Sequence, residues 1–139
     1  MRQFLCLSLA ALALNFGAGV AQAGGLDDFR ASFAKAVYAG SSNLVHDRQP
    51  QALLRSVVVL NIKLGDDNRW HTDVIRTNDE QPEMLQRAIE SVARARADNV
   101  PAELRDELKR RGMYETWLFD KDGSFQVKTL ARPQVFADN

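Results

Sequence analysis

The chain has 139 residues, 18 basic and 18 acidic side chains, and a single cysteine, Cys6. This length fits one domain with its own core. The formal net charge of zero argues against proteins that bind nucleic acid or membrane surfaces, because those show a strong basic excess.

Residues 1–23 have the organisation of a cleavable signal peptide. Arg2 gives a positive start, Phe4 to Val20 is mostly apolar, and Ala21-Gln22-Ala23 is the small-x-small pattern that signal peptidase cuts. The alternative is a transmembrane anchor, but polar residues and glycines interrupt the run, whereas a span needs about 20 apolar residues. We therefore predict cleavage after Ala23, export, and no stable membrane anchor afterwards.

Cleavage would remove Cys6 and Arg2, so the mature chain 24–139 would keep 17 basic against 18 acidic side chains, a net charge of −1. Without cysteine, this chain must be stable through its core alone. A domain of this length buries about two-thirds of its unfolded surface, so that is feasible. We predict a single domain over 24–139, with an N-terminal helix over 26–39 and the sheet and its helices over 53–130.

The N-terminal helix has one apolar stripe, formed by Leu26, Phe29, Phe33 and Val37. Gly40 stands where helices commonly end in a left-handed residue. Residues 41–51 have no clear hydrophobic period and are predicted to form a loop.

Residues 56–77 predict a hairpin. One face of its first strand consists of Val58, Leu60, Ile62 and Leu64, which alternate with period 2. Gly65-Asp-Asp-Asn68 has the chemistry of a turn, and Arg69–Thr77 returns as a second strand. One side of this second strand carries Trp70, Thr72 and Val74.

Two helices are predicted next. Pro82 can occupy the first position of the first helix, because its missing N–H would have no partner there. The inward stripe of this helix is predicted to contain Leu85, Ile89, Val92 and Arg96, widened by Ala88 and Ala93. A short helix from Ala102 to Arg111 follows, with Leu104 and Leu108 inward and Gly112 at its end.

The end of the chain predicts a second hairpin. Met113–Phe119 is an aromatic-rich strand, Asp120–Gly123 is a strong turn signal, and Ser124–Leu130 is the last strand. Two hairpins with helices between them predict an α+β fold, in which an antiparallel sheet of about four strands has its helices packed on one face.

Few residues suggest catalysis or ligand binding. His71 and Asp73 share a strand face and, with His46, are the candidate residues of a small metal-dependent hydrolase. Trp70, Trp117 and Phe125 are candidates to surround a small ligand, although aromatic residues on strands are more often core. No serine or cysteine nucleophile motif, phosphate loop or complete calcium loop is present, so no cofactor or metal is predicted.

Several stretches of this sequence resemble the C-terminal domain shared by TonB and TolA. They are Val59–Asn68, Asp73–Ile75, Gln81–Val92 and Val100–Pro101. In that family an alternating strand, a tight turn and a second strand precede a helix with spaced Ala and Val, a proline near its end and a closing strand. The resemblance covers Ser56 to Phe119.

The resemblance implies a non-enzymatic protein of the periplasm of Gram-negative bacteria. TonB pairs with a segment of outer-membrane transporters largely by adding a strand to a sheet, and TolA contacts other envelope proteins. TonB and TolA also have an uncleaved anchor, a long spacer and, in TonB, a Tyr-Pro pair near the contact region. This sequence lacks these features, so we expect a stand-alone binding module rather than an energy transducer.

Strand addition uses the unpaired backbone groups of a sheet edge for affinity and alternate side chains for selectivity. We predict that a periplasmic or outer-membrane protein segment binds at the last strand. The predicted partner-binding residues are Phe125, Gln126, Val127, Lys128 and Thr129.

Overall fold

The structure is a computed structural model that describes residues 18–78 and 80–133, with side chains from residue 24 onward. Its elements are helix α1 (Ala18–Gly40), strands β1 (Ser56–Leu64) and β2 (Trp70–Arg76), helix α2 (Pro82–Arg94), a 3₁₀ turn (Ala102–Leu104), helix α3 (Arg105–Arg110), and strands β3 (Met113–Phe119) and β4 (Phe125–Val127). Residues 1–17 of the predicted signal peptide, including Cys6, and the last six residues of the chain lie outside the described residues.

The four strands form one sheet in the order β2-β1-β3-β4, and every neighbouring pair is antiparallel. Each predicted hairpin is present, and β1 pairs with β3 to join the two hairpins in the middle of the sheet. The buried side chains of α1, α2 and α3 belong to the same core cluster as Val58, Leu60 and Ile62 of β1. The helices therefore lie on one face of the sheet, and the α+β prediction is confirmed.

The described part of helix α1 runs from Ala18 to Gly40, so this helix is longer than the predicted helix 26–39 and includes the predicted cleavage site. Gly40 ends it as predicted, but not as a left-handed residue, because the described glycines with positive φ are Gly112 and Gly123. A Cβ atom at Gly40 would lie 3.0 Å from Cβ of Arg94. Glycine therefore allows the close approach of α1 to the end of α2 without a shift of either helix.

The buried stripe of α2 includes Ala88 and Val92, as predicted, but it is rotated away from Leu85 and Ile89. Those two side chains are half buried. The fully buried set of this helix is Met84, Ala88, Ser91 and Val92. Because α2 ends at Arg94, Arg96 lies beyond it and not on its inward face.

Ser91 is in the core because it binds the indole of Trp117. Trp117 Nε1 donates a hydrogen bond to Ser91 Oγ at 2.9 Å, and Ser91 Oγ donates to the carbonyl of Ala88 at 2.7 Å. All of these groups are buried, so the bonds satisfy the polar side-chain atoms of Ser91 and Trp117.

Strand β4 is shorter than predicted. The amides of Leu130 and Ala131 both donate to the carbonyl of Val127, at 3.0 and 2.9 Å, so the chain turns directly after Val127. Lys128 and Thr129 consequently lie outside the strand, and the prediction of a strand from Ser124 to Leu130 is wrong at its end.

Candidate functional site

The strand order places β2 and β4 at the two edges of the sheet. An edge strand directs alternate N–H and C=O groups away from its neighbour, and these groups can pair with an added strand when nothing else binds them. The two edges of this sheet differ in how they are covered.

The edge at β4 is closed by other parts of the chain. The amide of Phe125 donates to the carbonyl of Leu44 at 2.8 Å, and its carbonyl accepts from the amide of His46 at 3.3 Å. The amide of Val127 donates to the hydroxyl of Tyr38 at 3.1 Å. Since the carbonyl of Val127 accepts the two amides of the following turn, the outward backbone groups of Phe125 and Val127 all have partners.

The side chains of β4 are also engaged. Phe125 and Val127 are fully buried in the core. Gln126 is 3% exposed and donates through Nε2 to the carbonyl of His46 at 2.8 Å.

Two of the five predicted partner-binding residues follow the strand. Lys128 and Thr129 are exposed, and the hydroxyl of Thr129 donates to Glu115. Because β4 is the last strand of the sheet, the prediction that it is an edge strand agrees with the structure. A protein segment that added to this edge would first have to displace residues 44–46 and Tyr38.

The edge at β2 is open. His71 and Asp73 pair with Lys63 and Asn61 of β1. The amide of Gly65 donates to the carbonyl of Arg69, and hydrogen-bonded pairs alternate along an antiparallel ladder. The backbone groups of His71 and Asp73 are therefore the ones that bond to β1. The backbone groups of Trp70, Thr72 and Val74 therefore point away from β1.

Within the described residues, no hydrogen bond reaches the backbone groups of Thr72 or Val74. We call the outward backbone groups of Trp70, Thr72 and Val74 the β2 edge.

A β-bulge exposes apolar side chains at the far end of the β2 edge. Leu60 pairs with Val74 and Val59 pairs with Arg76, so Ile75 is an additional residue on β2. Val74 is 46% exposed and Ile75 is 52% exposed. Two apolar side chains thus flank unpaired backbone groups.

Helix α2 lies beside β2 and adds an apolar wall. Leu85, Ile89 and Ala93 are spaced four residues apart and therefore share one side of the helix. Ala93 and Trp70 line the same groove, which has a volume of about 440 Å³, so this side faces β2. Leu85 and Ile89 are half buried, which leaves part of each available to a bound segment.

Trp70 closes the opposite end of this groove. Its ring packs against Phe33 with centroids 5.4 Å apart and against Phe29 at 6.0 Å, which fixes its position under α1. The indole Nε1 is buried and has no hydrogen-bond partner within the described residues.

The structure contradicts the candidate hydrolase site. His46 lies on the outer side of β4, whereas His71 and Asp73 are on β2, so three strands and about 19 Å separate them. His71 bonds to Asp67 at 3.0 Å and Asp73 pairs with Lys63 at 3.1 Å, so the two do not form a pair with each other. The described residues contain no group of three or more His, Cys, Asp or Glu side chains that could hold a metal ion.

The candidate aromatic ligand pocket is also contradicted. Trp117 and Phe125 are fully buried in the core, and Phe125 packs against Phe119 with ring centroids 5.5 Å apart. Trp70 lies at the other edge of the sheet, against α1. The three rings are therefore packing residues and do not surround one cavity.

The turn between β3 and β4 contains a carboxylate that is strongly stabilised in its charged form. The hydroxyl of Ser124 donates to Asp122 Oδ1, the amide of Ser124 donates to the same atom at 3.0 Å, and Arg48 lies 3.4 Å from Oδ2. In that order, these interactions lower the pKa of Asp122 from 3.8 to about 2. Arg48 also lies 3.4 Å from Asp120, so this turn attaches the loop that covers β4.

Replacing Ser124 with alanine is expected to raise the pKa of Asp122 toward its ordinary value, because its largest stabilising hydrogen bond is lost. Because the pKa of Asp122 is lower in the folded protein than in the unfolded chain, its carboxylate stabilises the fold at pH values above 3.8. This contribution is lost as the pH falls from 3.8 toward about 2. Carbon-detected NMR titration of Asp122 from pH 6 to pH 1.5 measures the shift. A pKa near 2 in the S124A protein would contradict the assignment, and Lys121→Ala serves as the control in the same turn.

No protein-family model, curated protein or solved structure matches this chain. Among the described residues, no helix combines the length and apolar character needed to cross a membrane. The resemblance to the TonB and TolA C-terminal domain therefore stays a prediction, and the geometry of the two edges is the basis for a functional proposal.

Proposed function

We propose that this chain is a non-enzymatic binding module that recruits an extended segment of another envelope protein by strand addition along the β2 edge. The observation that carries the proposal is the row of unpaired backbone groups at Thr72 and Val74 beside exposed apolar side chains. The periplasmic location in the proposal is supported by the signal-peptide pattern of residues 1–23.

The β2 edge suits strand addition better than the predicted site at β4. A segment that binds β2 gains backbone hydrogen bonds without breaking any within the described chain. At β4 the same segment would have to break the bonds that Leu44, His46 and Tyr38 make with Phe125 and Val127. Each broken bond offsets one that forms, so little net affinity would remain.

The charges at the β2 edge indicate the chemistry of the segment. Arg69 and Arg76 flank the two ends of the edge, and neither side chain has an ion pair with a described residue. The side chains between them are apolar at Val74 and Ile75. We therefore expect an alternating segment of about five to seven residues, acidic near its ends and apolar where it lies beside Val74 and Ile75.

Thr72→Pro tests the proposal. Proline removes the outward N–H of Thr72 while the bonds of His71 and Asp73 to β1 remain, and proline is tolerated on an edge strand whose N–H faces solvent. Seven-residue random peptides displayed on phage are selected on the native protein, and the best peptides are titrated against both proteins. We expect at least a tenfold loss of affinity in T72P, which corresponds to about 1.4 kcal/mol.

Thr72→Val is the matched control, because it changes the same side chain but keeps the N–H, and we expect its affinity to stay within a factor of two. Peptide binding should also slow hydrogen exchange at the amides of Thr72 and Val74. If the selected peptides bound T72P as tightly as the native protein, or slowed exchange only at Phe125 and Val127, the β2 edge would not be the binding site.

A further inference from the structure

The face of the sheet that is opposite the helices has its own groove, with a volume of about 590 Å³. We call it the open-face groove. Its floor is formed by Val57, Val59 and Leu118, and its rim carries Arg76, Lys128 and Arg132. Neither the core nor the β2 edge uses this floor.

The floor follows from the alternation of β1 and β3. Val57 pairs with Leu118 and Val59 pairs with Thr116, so these four side chains share one face. The residues between them, such as Val58 and Trp117, point into the core on the helical face. The floor side chains are only half buried, because none of the helices covers this face.

The rim has an uncompensated positive charge. Arg76, Lys128 and Arg132 are exposed, and none of the three has an ion pair or side-chain hydrogen bond within the described residues. Among the described residues, no acidic side chain lines the groove. An apolar floor and a cationic rim together require a ligand that is both apolar and anionic.

We propose that the open-face groove binds a single-chain anionic amphiphile, namely a long-chain carboxylate. Its alkyl chain lies on Val57, Val59 and Leu118, and its carboxylate lies between the cations of the rim. The groove volume is within the range of about 300–1,000 Å³ that is typical of small-ligand sites. Removal of the half-exposed floor from water provides the driving force.

A peptide fits this groove less well. Strands β1 and β3 are the two central strands, so their backbone groups already bond to neighbouring strands. The floor side chains offer no hydrogen-bonding group, and beside them only Thr116 of the described lining has a hydroxyl. A peptide on the floor would bury N–H and C=O groups without partners, which is unfavourable, whereas an alkyl chain has no such groups.

Decanoate, used below its micelle concentration, is the probe. Calorimetric titration with the full chain should give a dissociation constant below about 1 mM, and 1-decanol should bind at least tenfold more weakly because it lacks the charge. Amide shifts on decanoate binding should map to Val57, Val59 and Leu118. These signals are distinct from the exchange changes at Thr72 and Val74 that test the binding module, so each proposal can fail alone.

Lys128→Glu combined with Arg132→Glu should weaken decanoate binding at least tenfold, and Leu118→Gln should weaken it through the floor. Lys35→Glu is the control, because Lys35 is an exposed cation on α1. Equal binding of decanoate and decanol, unchanged affinity in the double variant, or shifts confined to other residues would overturn the proposal. Displacement of decanoate by an acidic seven-residue peptide that binds more tightly would overturn it in favour of a peptide site.

Discussion

Replacement of Trp117 by alanine is expected to lower the free energy of unfolding by about 3–5 kcal/mol, the range for removing a large aromatic side chain from a core. Trp117 is fully buried in β3, opposite Val58 of β1 and Val127 of β4. The change would leave a cavity among three strands and α2. Because domains are stable by only about 5–15 kcal/mol, a large fraction of the stability would be lost. Urea unfolding followed by circular dichroism measures it.

Two further variants test why Trp117 matters: one separates its apolar volume from its hydrogen bond, and the other is an exposed aromatic control. Trp117→Phe keeps most of the apolar volume but removes the N–H that binds Ser91, so its loss should be less than that of W117A. Tyr114→Ala changes an aromatic side chain of the same strand that is 57% exposed, and its effect should be within about 0.5 kcal/mol. Equal losses for W117A and Y114A would show that Trp117 does not occupy the centre of the core.

Replacement of Gly112 by alanine is expected to lower the free energy of unfolding by about 2–4 kcal/mol. Gly112 ends α3 with φ of +70°, a conformation that is unfavourable for any residue with a Cβ atom. The added atom would also lie 2.6 Å from the carbonyl oxygen of Ile62, which belongs to the sheet backbone and cannot move aside. Thermal and urea unfolding of G112A measure the combined cost.

Gly25→Ala is the matched control for this substitution. Gly25 is within α1, and a Cβ atom there would meet no described residue within 4 Å. Alanine is favoured over glycine in a helix by up to about 1 kcal/mol, so this variant should be neutral or more stable. A G112A protein as stable as the native one would be inconsistent with the left-handed conformation of Gly112.

The sheet was largely predictable because alternation is a local property. Val58, Leu60, Ile62 and Leu64 are all buried, as period 2 requires, and β1 has the predicted bounds. The turn at Gly65 and the turn before Ser124 contain residues that favour tight turns. Pro82 begins α2 as predicted. In each case the physical cause lies within a few neighbouring residues.

The stripe of α2 shows where local patterns fail. Hydropathy assigns Ser91 to the outside, but the indole of Trp117, which is 26 residues away in the sequence, makes its burial favourable. A polar residue in a core is predicted only when its partner is known. Met84, which is buried in place of Leu85, lies two turns from Ser91 on the same side of α2.

The binding edge was not predictable, because strand order and loop placement depend on distant contacts. Both hairpins are evident from the sequence. The sequence does not show which strand of the first hairpin pairs with which strand of the second. The pairing of β1 with β3 leaves β2 and β4 at the edges. Residues 44–46 have no periodic signal, yet they cover β4, and so the edge at β2 is the open one.

The covering of β4 also determines when this fold can be completed. The amide of Phe125 bonds to the carbonyl of Leu44, and the amide of Val127 bonds to Tyr38, a separation of 89 residues. Closing so long a loop has a large entropic cost, and such contacts form late and slow the folding rate. Since the bonds require the last strand, a growing chain cannot complete its sheet until that strand has been synthesised. The chain would therefore remain incompletely folded until Val127 has been synthesised, a state in which a polypeptide can still be threaded through a narrow channel.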